Sequence, residues 1–208
     1  MQPYCLKRQN HVFYLMSVKI KISPTFAKMV MLYKQCIKEY GSNYRIQKEI
    51  SSGRLFLLEK GVYSKDKHES GIAIVAAKYP KAVFSMDFAF YHYNLTDTIP
   101  DNYCLVTERH ARKISDAHVV QRFENSDILH LGAMQEKIDN ANITIYNRER
   151  MLLELLRNKN VLPFDYYKEI IENYRKIIYD LDIRLIQDYI PLMPKSKMIF
   201  RALQLEVL

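Results

Sequence analysis

The chain has 208 residues, 49% of them hydrophobic and 26% charged, and carries a net charge of +8. That length holds one large domain or a small domain beside a medium one, and the composition is ordinary for a globular protein. No apolar run is long enough to span a bilayer, so a membrane-spanning helix is excluded and a cytoplasmic protein is expected.

Three cysteines, Cys5, Cys36 and Cys104, are odd in number and far apart, with no CxxC. This spacing fits reduced thiols in a cytoplasm and argues against a disulfide framework or a zinc site. Residues 1–17 begin with basic residues, but their apolar run is too short for a signal peptide. They are expected to be a disordered tail or an upstream extension, with Met16 as the alternative start.

Taken in chain order, residues 18–22 (VKIKI) alternate like a short strand. Ser23-Pro24-Thr25 reads as a helix start, because Pro is tolerated in the first turn. Residues 26–40 then place Met29, Leu32, Tyr33, Cys36, Ile37 and Tyr40 on one helix face. Gly41 ends that helix. Ser42 is positioned to cap a second helix over 43–52, in which Ile46 and Ile50 face inward. Gly53 supplies a left-handed stop. Residues 54–58 and 62–64 are expected strands, joined by the turn Glu59-Lys60-Gly61. The polar stretch 64–68 divides a unit over 18–67 from a second over 68–208.

Beyond it, residues 69–78 predict a small-residue helix stopped by Pro80, and 82–85 a strand. Residues 86–94 predict an aromatic helix with Phe88, Tyr91 and Leu95 on one face. Strands are expected at 103–107 and 118–123, with the basic segment TERHARK between them. Two more follow at 128–134 and 143–146, joined through Asp139-Asn140. Helices then cover 148–157, 164–179, 181–190 and 195–205, with Pro191 and Pro194 between the last two. No internal repeat is visible. The fold class is α+β: a small N-terminal, reduced winged-helix domain, then an α+β domain with a mixed or antiparallel sheet and a helical C-terminal end.

The charge is uneven. Residues 1–67 hold 13 of the 31 Lys and Arg but only 4 of the 23 Asp and Glu. Clustered positive charge is the footprint of phosphate binding, since each neutralised phosphate releases counterions. A basic helix followed by a hairpin is the second half of a winged helix-turn-helix, which reads the major groove with the helix and lays the wing on the backbone. The plainer alternatives are a solvated basic face or an acidic protein partner.

Three local patterns, in order, resemble the AbiEi-type antitoxins of type IV toxin–antitoxin systems. The first runs from Gly53-Arg54-Leu55 to Gly61-Val62-Tyr63. The second is Tyr79-Pro80-Lys81-Ala82-Val83-Phe84-Ser85, followed by the helix from Asp87 to Tyr93 and by Leu95-Thr96-Asp97-Thr98-Ile99-Pro100. The third is Tyr146-Asn147-Arg148-Glu149-Arg150-Met151-Leu152. Together they span the chain from about Tyr33 to its end. The resemblance implies a winged-helix domain that binds inverted repeats of double-stranded DNA in its own promoter, and a C-terminal domain that carries antitoxicity. It also implies a paired nucleotidyltransferase-like toxin with which no stable complex forms. The chain departs from the family where Tyr40-Gly41-Ser42 joins the first helix directly to the second, so that the middle helix of the motif is missing.

For DNA contact, the outward set is Tyr44, Arg45, Gln47, Lys48 and Ser51, with Arg54 and Lys60 beside the wing. Arg and Gln suit bidentate contacts to guanine and adenine edges, and Lys suits phosphate. A solvated helix face would carry the same residues. Arg109, Arg112 and Lys113 form a second basic cluster, either a solubilising loop or a second DNA contact. His92 is expected to be packed. His110 and His118, with only Asp116 nearby, make a poor ligand set, so no metal is expected. Glu149 suits the positive end of its helix.

No enzyme is expected, and no cofactor. Gly41-Ser42 is not followed by the paired acids of a nucleotidyltransferase, and no Asp-x-Lys or Glu-x-Lys of a metal nuclease occurs. Neither GxSxG, HExxH nor a phosphate-binding Gly-rich loop is present. The sequence therefore reads as an autorepressing antitoxin. The alternative is a protein-interaction module whose vestigial winged helix does not read DNA.

Overall fold

The computed structural model describes residues 30–208. The expected tail, the strand over 18–22 and the helix start at Ser23-Pro24-Thr25 all lie outside the described residues.

The chain enters as a strand, β1 (Val30–Leu32), and only then turns into α1 (Tyr33–Tyr40). This corrects the single helix expected over 26–40. Three residues carry no strand signature of their own; β1 is defined by its antiparallel pairing with β3 (Val62–Ser64). Gly41, at φ +84°, ends α1 and donates its N–H to Ile37. Ser42 then caps α2 (Asn43–Ser51), its Oγ accepting the Arg45 N–H at 3.3 Å. Gly53 takes φ +71°, where a side chain would be strained. β2 (Phe56–Glu59) starts two residues later than expected and pairs with β3 across a bulge. The small sheet has the order β1-β3-β2.

Alternation along these short strands sends neighbouring side chains to opposite faces. Met31 and Tyr63 pack with Cys36, Ile46 and Leu55 under the helix pair. Val30 and Val62 join the main core instead. The small sheet is therefore covered by α1 and α2 on one face and by the second unit on the other. The 64–68 crossing is held locally: Ser64 Oγ donates to Glu69 at 2.7 Å and accepts the Asp66 N–H at 3.0 Å.

The second unit opens with α3 (Gly71–Lys78), capped by Ser70, which lies against β1. Then come β4 (Val83–Ser85), α4 (Met86–His92), β5 (Tyr103–Glu108) and β6 (Val119–Glu124). The buried face of α4 is Met86, Ala89 and Phe90, whereas Tyr91 is exposed, a shift from the face expected. The strand expected at 128–134 is instead a helical turn, α5 (Ser126–Leu129), followed by β7 (Ala133–Ile138). Asn125-Ser126-Asp127 favours the turn, and Gly132 at φ +73° resets the chain. Asp139 and Asn140, both at positive φ, join β7 to β8 (Ala141–Tyr146) in a tight hairpin.

The five strands run β6-β5-β4-β8-β7, with parallel β4/β8 and β5/β6 pairs and antiparallel β4/β5 and β7/β8 pairs. The sheet is mixed and the class α+β. The end is helical: α6 (Arg148–Arg157), α7 (Phe164–Lys176), α8 (Ile183–Tyr189) and α9 (Ser196–Glu206). α6 is buried from Glu149 to Leu156 and packs against α4, α8 and α9. Among the described residues no helix is long and apolar enough to cross a membrane.

Candidate nucleic-acid interface

Ile46 anchors α2 by its complete burial beneath the helix. With that residue fixed, the 100° step of a helix turns Tyr44, Arg45, Gln47, Lys48 and Ser51 to solvent, and all five are exposed. The side chains of Tyr44, Arg45, Gln47 and Lys48 make no hydrogen bond or ion pair to other described residues. Tyr44 is 77% exposed, which is unusual for an aromatic ring with no partner. Ser51 is less free, because its hydroxyl donates to the Gln47 carbonyl at 2.8 Å.

The hairpin side is divided. Lys60 is exposed at the hairpin turn, next to Gly61 at φ +80°. The Gly61 carbonyl accepts the Tyr33 N–H at 2.9 Å, so the turn is tied to the start of α1. Arg54, although exposed, already has a partner. Its Nε and Nη2 donate to the two carboxylate oxygens of Glu49 at 2.7 and 2.9 Å. The Arg54 hydrogen bond draws the Glu49 carboxyl below the usual carboxylate range. The pair fastens the start of the hairpin to the end of α2.

The second basic cluster sits in the loop 109–118 between β5 and β6. Arg109, Arg112 and Lys113 are exposed and their side chains are unpaired among the described residues. The loop itself is held in shape. Gln121 accepts the Ile114 N–H at 2.7 Å and donates to the Arg112 carbonyl at 3.2 Å and to Thr107 Oγ1 at 2.7 Å.

One side chain joins this loop to the β2–β3 hairpin. Lys78, in the last turn of α3, donates to Glu59 of β2 at 2.9 Å and also to Asp116 of the loop. Tyr79 adds a bond to Asp116 at 3.2 Å. Burial by itself would lower the Lys78 ammonium and raise the Asp116 carboxyl. Their mutual hydrogen bond and charge outweigh it, holding Lys78 above and Asp116 below their ordinary ranges. Glu59 precedes Lys60, and Asp116 lies three residues after Lys113. This link joins residues 38 apart and could not be read from the sequence.

His92 is packed, as expected: its ring stacks on Phe88 and its Nε2 lies 3.0 Å from Glu136. His110 and His118 are exposed, and the described residues hold no cluster of three His, Cys, Asp or Glu placed to bind a metal. Cys36 and Cys104 are both buried, and burial pushes the Cys104 thiol up to about 12, far from a reactive thiolate. Glu149 lies in the first turn of α6 and accepts the Asp182 N–H at 3.2 Å. Neighbouring Arg150 is fully buried. No protein-family model matches the chain, and no match was found among curated proteins.

Proposed function

We propose that the chain is a DNA-binding antitoxin of the AbiEi type, a transcriptional autorepressor that counteracts a nucleotidyltransferase-like toxin from the cytoplasm. The observation that carries this reading is the order β1, α1, α2, β2, β3 with β1 paired to β3. In a winged helix-turn-helix, a short strand before the helix pair completes the wing as a three-stranded sheet. On this reading α1 is the middle helix of the motif, and α2 is the recognition helix. The place of a first helix falls before Val30, outside the described residues.

Arg45, Gln47 and Lys48 on α2 would reach base edges and phosphates, and Lys60 the backbone beside the wing. Arg109, Arg112 and Lys113 extend the same positive face, because Lys78 sets their loop beside the wing. Antitoxicity is assigned to the second unit, acting without a stable complex with the toxin. The test is a gel shift of the chain on its own upstream region across a salt titration. Sequence-selective binding that weakens with salt is expected, and its loss in Arg45→Ala/Lys48→Ala with the fold intact.

A second reading, a protein-interaction module that no longer reads DNA, is favoured by exposed apolar side chains of the helical end: Val161, Phe164, Leu205 and Leu208. Absence of any shift at low salt decides for it.

A further inference from the structure

β6 and α6 border a cleft of about 230 Å³ that the DNA reading does not use. It is lined by Ser85, Met86, Arg122, Glu124, Glu154 and Arg157, among others. Arg122 and Arg157 line it together with Glu124 and Glu154, and Arg150, behind the lining, bonds the same two carboxylates. Glu154 accepts from Arg150 at 2.8 Å and from Arg157 at 3.2 Å. Glu124 accepts from Arg157 at 2.5 Å and lies 3.6 Å from Arg150. Both carboxylates are thus engaged by Arg150 and Arg157. Arg122 has neutral partners, Asn158 Oδ1 at 3.0 Å and the buried Cys104 thiol, and no carboxylate within 4.0 Å among the described residues.

Behind the lining, Arg150 is fully buried, yet its Nη1 has no hydrogen-bond partner among the described residues. A buried guanidinium with an orphaned donor is costly, so the cluster is short of acceptors as well as of negative charge. Arg122 also lines a second hollow of about 180 Å³ together with Asp87 and Asp101, and Asp87 accepts from Tyr166 at 3.1 Å.

We propose that the cleft binds a single phosphate group on Arg122. The planar guanidinium presents paired donors that match phosphate oxygens. The volume is below the ~300 Å³ at which sites begin to enclose a drug-sized ligand, so the cleft takes the phosphate group and leaves any attached nucleoside outside. No residue of the cleft belongs to α2, the wing or the 109–118 loop, so the proposal is independent of the DNA reading.

The test is a titration of the full chain with inorganic phosphate at constant ionic strength, followed by backbone amide NMR. Saturable shifts at residues 122–124 and 154–157 in the millimolar range are expected. In Arg122→Gln the affinity falls at least about tenfold, the loss of one charge-assisted bond, while Arg122→Lys keeps part of it. Operator binding is unchanged in both. Absence of saturable shifts in the wild-type chain overturns the site whether or not the variants fold, as does wild-type titration by Arg122→Gln. A 5′-phosphorylated dinucleotide that binds more tightly than phosphate identifies a strand end as the source, and equal affinity identifies the free anion. A dinucleotide lacking the phosphate is expected not to bind the cleft; if it binds as well as the phosphorylated one, the proposal fails.

Discussion

α2 and α6 begin alike, with a polar cap and an arginine in the first turn, and use their arginines in opposite ways. Ser42 caps α2 and Asn147 caps α6, each by accepting the N–H three residues on. α2 buries little beyond Ile46, leaving Arg45 exposed and unpaired among the described residues. α6 carries Met151, Leu152, Leu153, Leu155 and Leu156 around its circumference, so the helix is enclosed on all sides. Arg150 goes inside with it, bonded to Glu154 and lying 4.9 Å from the Tyr146 ring centre. A count of charges therefore overstates what is available to a partner. Free charge is found where the apolar stripe is narrow; enclosed charge stabilises the fold through its neighbours.

The largest effect tests the enclosed side. Arg150→Met leaves Glu124 and Glu154 buried with Arg157 alone, and removing one partner of such a cluster costs about 3–5 kcal/mol. Urea unfolding is expected to give a lower midpoint at unchanged slope. A loss below about 1 kcal/mol means that Arg157 neutralises both carboxylates unaided, and the contrast between the helices fails.

Next is the exposed side. Arg45→Ala/Lys48→Ala touches no described partner, so stability should stay within about 0.5 kcal/mol of the wild-type value. Operator affinity is expected to fall by about 2–4 kcal/mol, on the scale of one bidentate base contact and one phosphate contact. Fluorescence anisotropy at fixed salt measures it. A smaller effect follows from replacing Arg109, Arg112 and Lys113 with Ala. For every phosphate these side chains neutralise, the slope of log affinity against log salt should flatten by about 0.9 in the triple variant. An unchanged slope makes the loop a solubilising one.

The same contrast explains what the sequence disclosed. Local signals were legible: the cap at Ser42, the stop at Gly53, the turn at Asp139-Asn140, and α6 from Arg148 to Arg157. The outward set on α2 followed from Ile46 and Ile50 alone. What was hidden depends on residues far along the chain. Val30–Leu32 has helical spacing, and becomes a strand because β3, about thirty residues on, offers it an edge. The Arg54–Glu49 pair lies at a separation with no fixed geometry until the turn at Gly53 is known. The burial of Arg150 depends on Glu124, well back along the chain in β6, and on the helices that pack around α6. The strand that precedes α1 stayed hidden for the same reason, since its residues continue the spacing of the helix.

The smallest effect concerns the link between the wing and the loop. Lys78 is raised and Asp116 lowered by their contact, so the two signs bracket a window. Asp116, with its folded value depressed, contributes above the usual carboxylate range, and the contribution is lost as pH falls through its folded value. Lys78, with its folded value raised, contributes fully below the usual ammonium range, and the contribution is lost as pH rises through its folded value. Between roughly pH 5 and 9 both are charged. There, Lys78→Met is expected to cost at most about 1 kcal/mol, the scale of a partly exposed pair. The difference in melting temperature from the wild-type chain should shrink as the pH falls below about 4. Because Lys78 also holds the loop beside the wing, this variant is expected to lower the salt slope of operator binding while Arg109, Arg112 and Lys113 are all still present. A variant that melts lower but keeps the wild-type slope would show that the bond serves stability alone and that the loop finds the wing without it.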